Sequence, residues 1–204
     1  MGEAAFYTED ARKRVTEAVV DVESRTAAEL VVVVHRASGT WREVDLAVGA
    51  AVAFGVLLLV LFHPKPIPVV AMPVDVALAF VAGALLCASV APFKRLLLPR
   101  RRLRAQVLAC ARSAFVEQGV SRTRGRTGVL VYVSTFERRV EVVADMGVDA
   151  ELLVGPTRAL SAAVAGADFD AFIEALRSLG PELGAALPRA TDDINELPDA
   201  PVIA

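Results

Sequence analysis

A chain of 204 residues is long enough for one domain of ordinary size, yet 55% of its residues are hydrophobic, more than such a domain uses in water. Its formal charge of −2 excludes a strongly polycationic or polyanionic protein, and two cysteines, Cys87 and Cys110, make a disulfide framework improbable and fit a reducing, cytoplasmic setting. GxSxG, HExxH, Walker, CxxC and EF-hand patterns are all missing, and two histidines cannot supply a metal cluster, so no catalytic residue is assigned.

The opening stretch MGEAAFYTEDARKR mixes both charge signs and lacks a short apolar core, so it is not expected to act as a secretory signal. Phe6 stands where a myristoylation signal needs Ser or Thr. Thr8 is placed to cap a helix through about Arg25, with Ala11, Val15, Ala18, Val19 and Val22 on one face. Glu29 to His35 is a β-branched run too short for a helix and reads as a strand covered on both faces. The loop that follows carries Trp41, whose indole suits a membrane interface.

Two apolar runs then dominate the chain, Leu46 to Phe62 and Ile67 to Phe93. The first has 17 uncharged residues and the second 18 beyond Asp75. Neither alternates with polar residues, and about 20 residues are needed to cross a bilayer as helix, so a transmembrane hairpin is predicted. Gly49 and Ala53, and Ala79, Gly83 and Cys87, place small residues at four-residue spacing where two helices can approach closely. Pro64, Pro66, Pro68 and Pro73 crowd the connector, and Asp75 is expected to cap the second helix.

From Lys94 to Arg126 there are ten basic residues against Glu117 alone, whereas the connector His63 to Asp75 has one Lys and one Asp. That asymmetry puts the basic side in the cytoplasm, and an even number of spans brings both termini there. Trp41, Lys94, Arg95, Arg100, Arg101, Arg102 and Arg104 are the candidate interface residues, with anionic headgroups of the lipid bilayer as their partner. A juxtamembrane place accounts for these charges, so no nucleic acid is expected as a partner. Arginine outnumbers lysine 19 to 3, a usage associated with GC-rich bacterial genomes. A multi-pass protein of a bacterial inner (cytoplasmic) membrane is the expected setting.

After Pro99 a helix is predicted over Arg101 to Gln118 with Gly119 as its stop. Gly128 to Ser134 and Val140 to Ala144 read as two strands of a hairpin with a charged tip, Glu137, Arg138 and Arg139, expected to keep the turn soluble. Helices are predicted over Pro156 to Ala165 and Asp168 to Leu187, the latter kinked or broken at Gly180-Pro181. From Pro188 an acidic tail with Asp192, Asp193, Glu196 and Asp199 is expected to be loosely ordered. The resulting division is 1–45 and 94–187 as two parts of one α/β domain, 46–93 as the hairpin inserted between them, and 188–204 as the tail.

The stretch RTGVLVYVSTFERRVEVVADMGVD, Arg126 to Asp149, taken with TAAELVVVV and LRSLGPELGAALP, resembles the TPM domain family, named for a thylakoid-lumen protein, a photosystem II repair protein and a receptor modulator. The resemblance runs from about Tyr7 to Pro188 outside the hairpin. It implies a compact α/β/α sandwich, here split by the two-helix hairpin, and a role as an interaction or accessory module for other membrane proteins. Some members are linked to calcium binding or acid-phosphatase-like activity. Asp145 and Gly147 keep part of the family's glycine-rich turn with its nearby acid. Independently of the resemblance, Asp145 and Asp149 lie four residues apart after a strand, where two carboxylates joined by backbone oxygens can hold Ca2+ weakly. Two readings follow: a membrane-anchored, non-catalytic module, favoured by the missing nucleophile and base, or a weak divalent-metal-dependent phosphatase using Asp145 and Asp149.

Overall fold

A computed structural model gives the structure of residues 3–64, 68–189 and 194–203. Pro66 and Ile67 of the connector and Asp192 and Asp193 of the tail lie outside the described residues. The chain divides into two units, one of Met1–Ser38 with Arg104–Ala204 and one of Gly39–Leu103. The hairpin unit is therefore wider than its apolar runs, and the tail belongs to the α/β unit.

In the α/β unit, α1 (Glu9–Glu23) begins where Thr8, in extended backbone, accepts the amide of Ala11. β1 (Leu30–His35) pairs in parallel with β2 (Val129–Ser134), and β2 pairs antiparallel with β3 (Arg139–Ala144). A short β4 (Val202–Ile203) completes the sheet order β3-β2-β1-β4. The β-branched runs are apolar throughout because both faces are covered. Leu30, Val32, Val34, Val129, Val131 and Val133 face a core shared with α1, α6 (Val154–Gly166), α7 (Phe169–Arg177) and α8 (Leu179–Ala186). Val31, Val33, Leu130 and Tyr132 face Val107, Ala111 and Ala114 of α5 (Arg100–Glu117). The result is an α/β/α layering, an α/β fold with a mixed sheet. Gly119 stops α5 at φ 72°, where a side chain would be strained.

Two expectations change here. The last helical region breaks at Ser178, which ends α7 and precedes α8, rather than at Gly180-Pro181. Pro181 falls in the first turn of α8, where a missing N–H costs nothing. The tail is not loose at its end. Ile203 and Val202 pair with Val34 and Val33, and the amide of Leu197 donates to Glu29 Oε2 at 3.1 Å.

This docking has a pH dependence. Burial raises the Glu23 carboxyl from 4.5 to about 8, the Leu30 amide opposes that, and Glu29 and Asp199 add to it. A raised carboxyl gives stability that is complete below its unfolded value and is lost as pH rises through its folded one. Stability should therefore fall between pH 4.5 and about 8. Glu23→Gln, which still accepts the Leu30 amide, should flatten the profile. Melting temperatures at both ends of that range check this, and a parent profile already flat would refute it.

In the other unit, α2 (Arg42–Leu61) and α3 (Met72–Ser89), on either side of the proline-bearing connector, pack against each other, and α4 (Ala91–Leu97) follows. The second apolar run is thus two helices, not one. Pro92 lies in the first turn of α4, and its ring and absent N–H prevent α3 from continuing past Val90. Asp75 is not the cap of α3, a position that Ala71 holds; it lies inside the first turn, where its charge suits the helix dipole. Of the small-residue stripe, Gly49 and Ala53 are buried in α2 and Gly83 and Cys87 in α3, whereas Ala79 is half-buried. A methyl group on Gly49 would stand 2.7 Å from Phe80 O, and one on Gly83 2.9 Å from Val52 Cβ. Gly83→Leu should therefore force the helices apart and cost about 2 kcal/mol by overpacking. Thermal unfolding in detergent measures it, and an unchanged midpoint would show that the contact is dispensable.

Candidate functional site

The C-terminal ends of β1 and β2 bring together the buried polar side chains Ser134, Thr135 and Glu137, at the end of a sheet where open α/β folds place ligands. The parallel ladder runs on past the strands, with Thr135 N donating to His35 O at 3.0 Å and Phe136 N to Arg36 O at 2.8 Å. The β2–β3 turn closes through Arg138 N to Thr135 O at 3.2 Å, with Arg138 at φ 50°. That geometry turns Glu137 inward.

Glu137 is only 3% exposed, so it does not serve as part of a soluble tip. Its two oxygens accept the amide of Ser38 at 3.1 and 3.2 Å, and Ser134 Oγ donates to Oε2 in a short hydrogen bond. Ser38 Oγ in turn donates to Ser134 Oγ at 2.9 Å and lies 3.3 Å from Tyr132 OH. With its one proton committed to Ser134, Ser38 accepts from Tyr132, whose phenol burial pushes up to about 12 and so keeps protonated. From α5, Gln106 Nε2 donates to Ser38 O at 2.8 Å and Cys110 Sγ to the same oxygen at 3.4 Å. His35 stacks on Tyr132 at 5.4 Å.

The chain of hydroxyls Tyr132, Ser38, Ser134 ends on a carboxylate, but Ser134 is fully buried and offers no face to a substrate. The network is a tie that fixes residues 36 to 38 on the hairpin turn. Beside it lies a cavity of about 400 Å3 lined by Ala4, Tyr7, Arg36, Ala37, Thr135 and Phe136. No residue of this cavity was singled out from the sequence, because its walls come from three separate stretches and only the fold joins them. Glu137 could have been suspected from its place in the family-like strand-turn-strand, but a Glu-Arg-Arg turn reads as solvated.

Asp145 and Asp149 have local tasks. Asp145 is buried, its Oδ1 accepts the Met146 amide at 2.8 Å, and Oδ2 lies 3.5 Å from Arg126 Nε. Asp149 caps the 3-10 turn Ala150–Leu153 by accepting the Glu151 amide at 3.0 Å. Among the described residues no three His, Cys, Asp or Glu side chains are grouped so as to hold a metal. Asp145 Oδ2 makes no hydrogen bond, and the two carboxyls supply only part of the about 6 to 8 oxygens that Ca2+ takes.

The interface residues divide. Trp41 is 7% exposed and sits at φ 49° before α2, so its indole is packed within protein rather than presented at a surface. Lys94 is also buried, with Nζ 2.7 Å from Asp45 Oδ2 and 3.4 Å from Thr40 O. Its charge is spent on Asp45. Arg95 is half-buried, while Arg100, Arg101, Arg102 and Arg104 are exposed. Arg104, with Arg112 and Arg139, also acts on Glu141, whose carboxyl burial raises and the three guanidiniums lower.

A split α/β unit with an inserted pair of helices long and apolar enough to cross a membrane is the class these observations define. The chain matches no protein-family model and no curated protein. It is similar in fold to the BA42 protein of the psychrophilic bacterium Bizionia argentinensis, a solution NMR structure, with a TM-score of 0.57 at 15% identity over 97% of this chain and 94% of that one.

Proposed function

We propose that α2 and α3 cross a bacterial inner membrane, that both termini lie in the cytoplasm, and that the α/β unit, a TPM-like domain, acts as a non-catalytic accessory module for other membrane proteins. The observation that carries the membrane part is outward apolar exposure. Leu59 is 72% exposed, Leu61 62%, Leu78 63%, Leu85 62% and Leu86 64%, and only 11% of the most apolar window of each helix is buried. A core helix of a soluble protein hides such side chains; a bilayer is the solvent that accepts them. The exposed Arg100, Arg101, Arg102 and Arg104 support the cytoplasmic placement. The strand-turn-strand of β2 and β3 and the α/β/α layering support the TPM likeness.

Alkaline carbonate extraction of membranes tests the anchor, with the chain expected to stay in the pellet. Its release into the supernatant would refute the anchor. For topology, Cys87 and Cys110 are replaced by Ala, and one new cysteine is placed by Val70→Cys or Arg138→Cys. A membrane-impermeant maleimide should label the first in intact cells and the second only after lysis; the reverse pattern would refute the orientation. In-cell crosslinking from Arg138, followed by identification of captured membrane proteins, tests the module, which fails if capture does not exceed that of the isolated hairpin anchor.

A further inference from the structure

The cavity beside the hydroxyl tie carries one cation and apolar walls. Arg36 lies with its guanidinium 5.0 Å over the ring of Tyr7, and this is its side-chain contact; no acid among the described residues pairs with it. Stacking holds one face of the planar fork and leaves its N–H edges for a ligand. Tyr7 OH is 2.8 Å from Thr135 Oγ1, and Thr135 Oγ1 donates to Arg36 O at 3.3 Å, so the three residues fix one another. The backbone beneath is held again by Phe136 N to Arg36 O and by the Glu137 tie to Ser38. Arginine is thus preorganised in a cavity of about 400 Å3, toward the small end of the range for ligand pockets.

We propose that this cavity binds a small organic carboxylate, with the carboxylate on Arg36 and an apolar or aromatic body against Tyr7, Ala37 and Phe136. One guanidinium matches a single negative charge bidentately. A phosphate monoester, carrying nearly two charges, would leave one uncompensated against largely apolar walls.

The test uses the full chain in detergent, labelled with 15N, and sodium phenylacetate as the probe. Saturable amide shifts confined to Tyr7, Arg36, Ala37 and Phe136 are expected. Neutral 2-phenylacetamide should bind about tenfold more weakly, as should phenylacetate to Arg36→Gln, since both remove the charge-assisted pair. Arg36 is exposed, so the variant should fold as the parent does, and an unchanged melting temperature verifies it. No saturation below about 20 mM, far weaker than specific binding requires, would overturn the proposal. So would equal affinity in Arg36→Gln, or shifts confined to α2 and α3, which would mark partition into the detergent-covered helices. Tighter binding of phenyl phosphate at the same amides would overturn the carboxylate assignment.

Discussion

Replacing Glu137 by Leu should lower the stability of the α/β unit by about 3 kcal/mol, because two donors lose a buried acceptor at about 1 to 3 kcal/mol each. The Ser38 amide and the Ser134 hydroxyl both point at this carboxylate, and Ser134 has no water to turn to. A leucine of similar length fills the space but accepts nothing. For a chain of this size the loss corresponds to a melting temperature about 6 to 12 °C lower. Glu137→Gln keeps one acceptor oxygen and sets its amide against a donor, so it should fall between parent and leucine. Ser134→Ala should cost about 1 to 2 kcal/mol, since it strands Ser38 Oγ and removes one donor from the carboxylate. Pairing the two substitutions should cost less than their sum, because each breaks the same bond. Thermal unfolding followed by circular dichroism supplies all four values. If the leucine variant melts with the parent, the tie does not hold this end of the sheet.

The elements that could be read from sequence are those whose cause is local. Thr8 caps α1 through a bond to a residue three positions on, Gly119 stops α5 by its own φ, and the β-branched run through Val34 needs only to be too short for a helix and apolar on both faces. The small-residue stripe of Gly49 and Gly83 follows from helical spacing alone. What escaped depends on distant partners. Glu137 is turned inward by Ser38, 99 residues away, and β4 is a strand because β1 offers it an edge. Two differences have local causes: Pro92 is apolar in composition but its ring ends a helix, and Ala71, four residues before Asp75, takes the cap position of α3. The Arg36 cavity was illegible for the first reason: Tyr7, Arg36 and Thr135 meet only after β1 has found β2.

Lys94→Met should destabilise the hairpin unit by about 3 to 5 kcal/mol, the cost of leaving a buried charge without its partner. Lys94 Nζ and Asp45 Oδ2 are 2.7 Å apart with side chains only 10% and 14% exposed, and Asp45 Oδ1 has no other partner to fall back on. The pair joins the first turn of α2 to α4, so it fastens the two ends of the hairpin to each other. Asp45→Leu combined with Lys94→Met should recover most of the loss, since replacing both charges by apolar groups removes the desolvation cost along with the attraction. Unfolding of the four proteins of this cycle in detergent measures the coupling, and a loss below about 1 kcal/mol in Lys94→Met would place the pair among ordinary surface ion pairs. The same burial separates Lys94 from the basic residues that follow it. Lys94→Met should leave the dependence of liposome association on anionic lipid unchanged, whereas Gln at Arg100, Arg101, Arg102 and Arg104 together should weaken it by about 1 kcal/mol for each charge near the surface without a comparable loss of stability. A Lys94 variant that loses lipid dependence while keeping its melting temperature would reverse that division of labour.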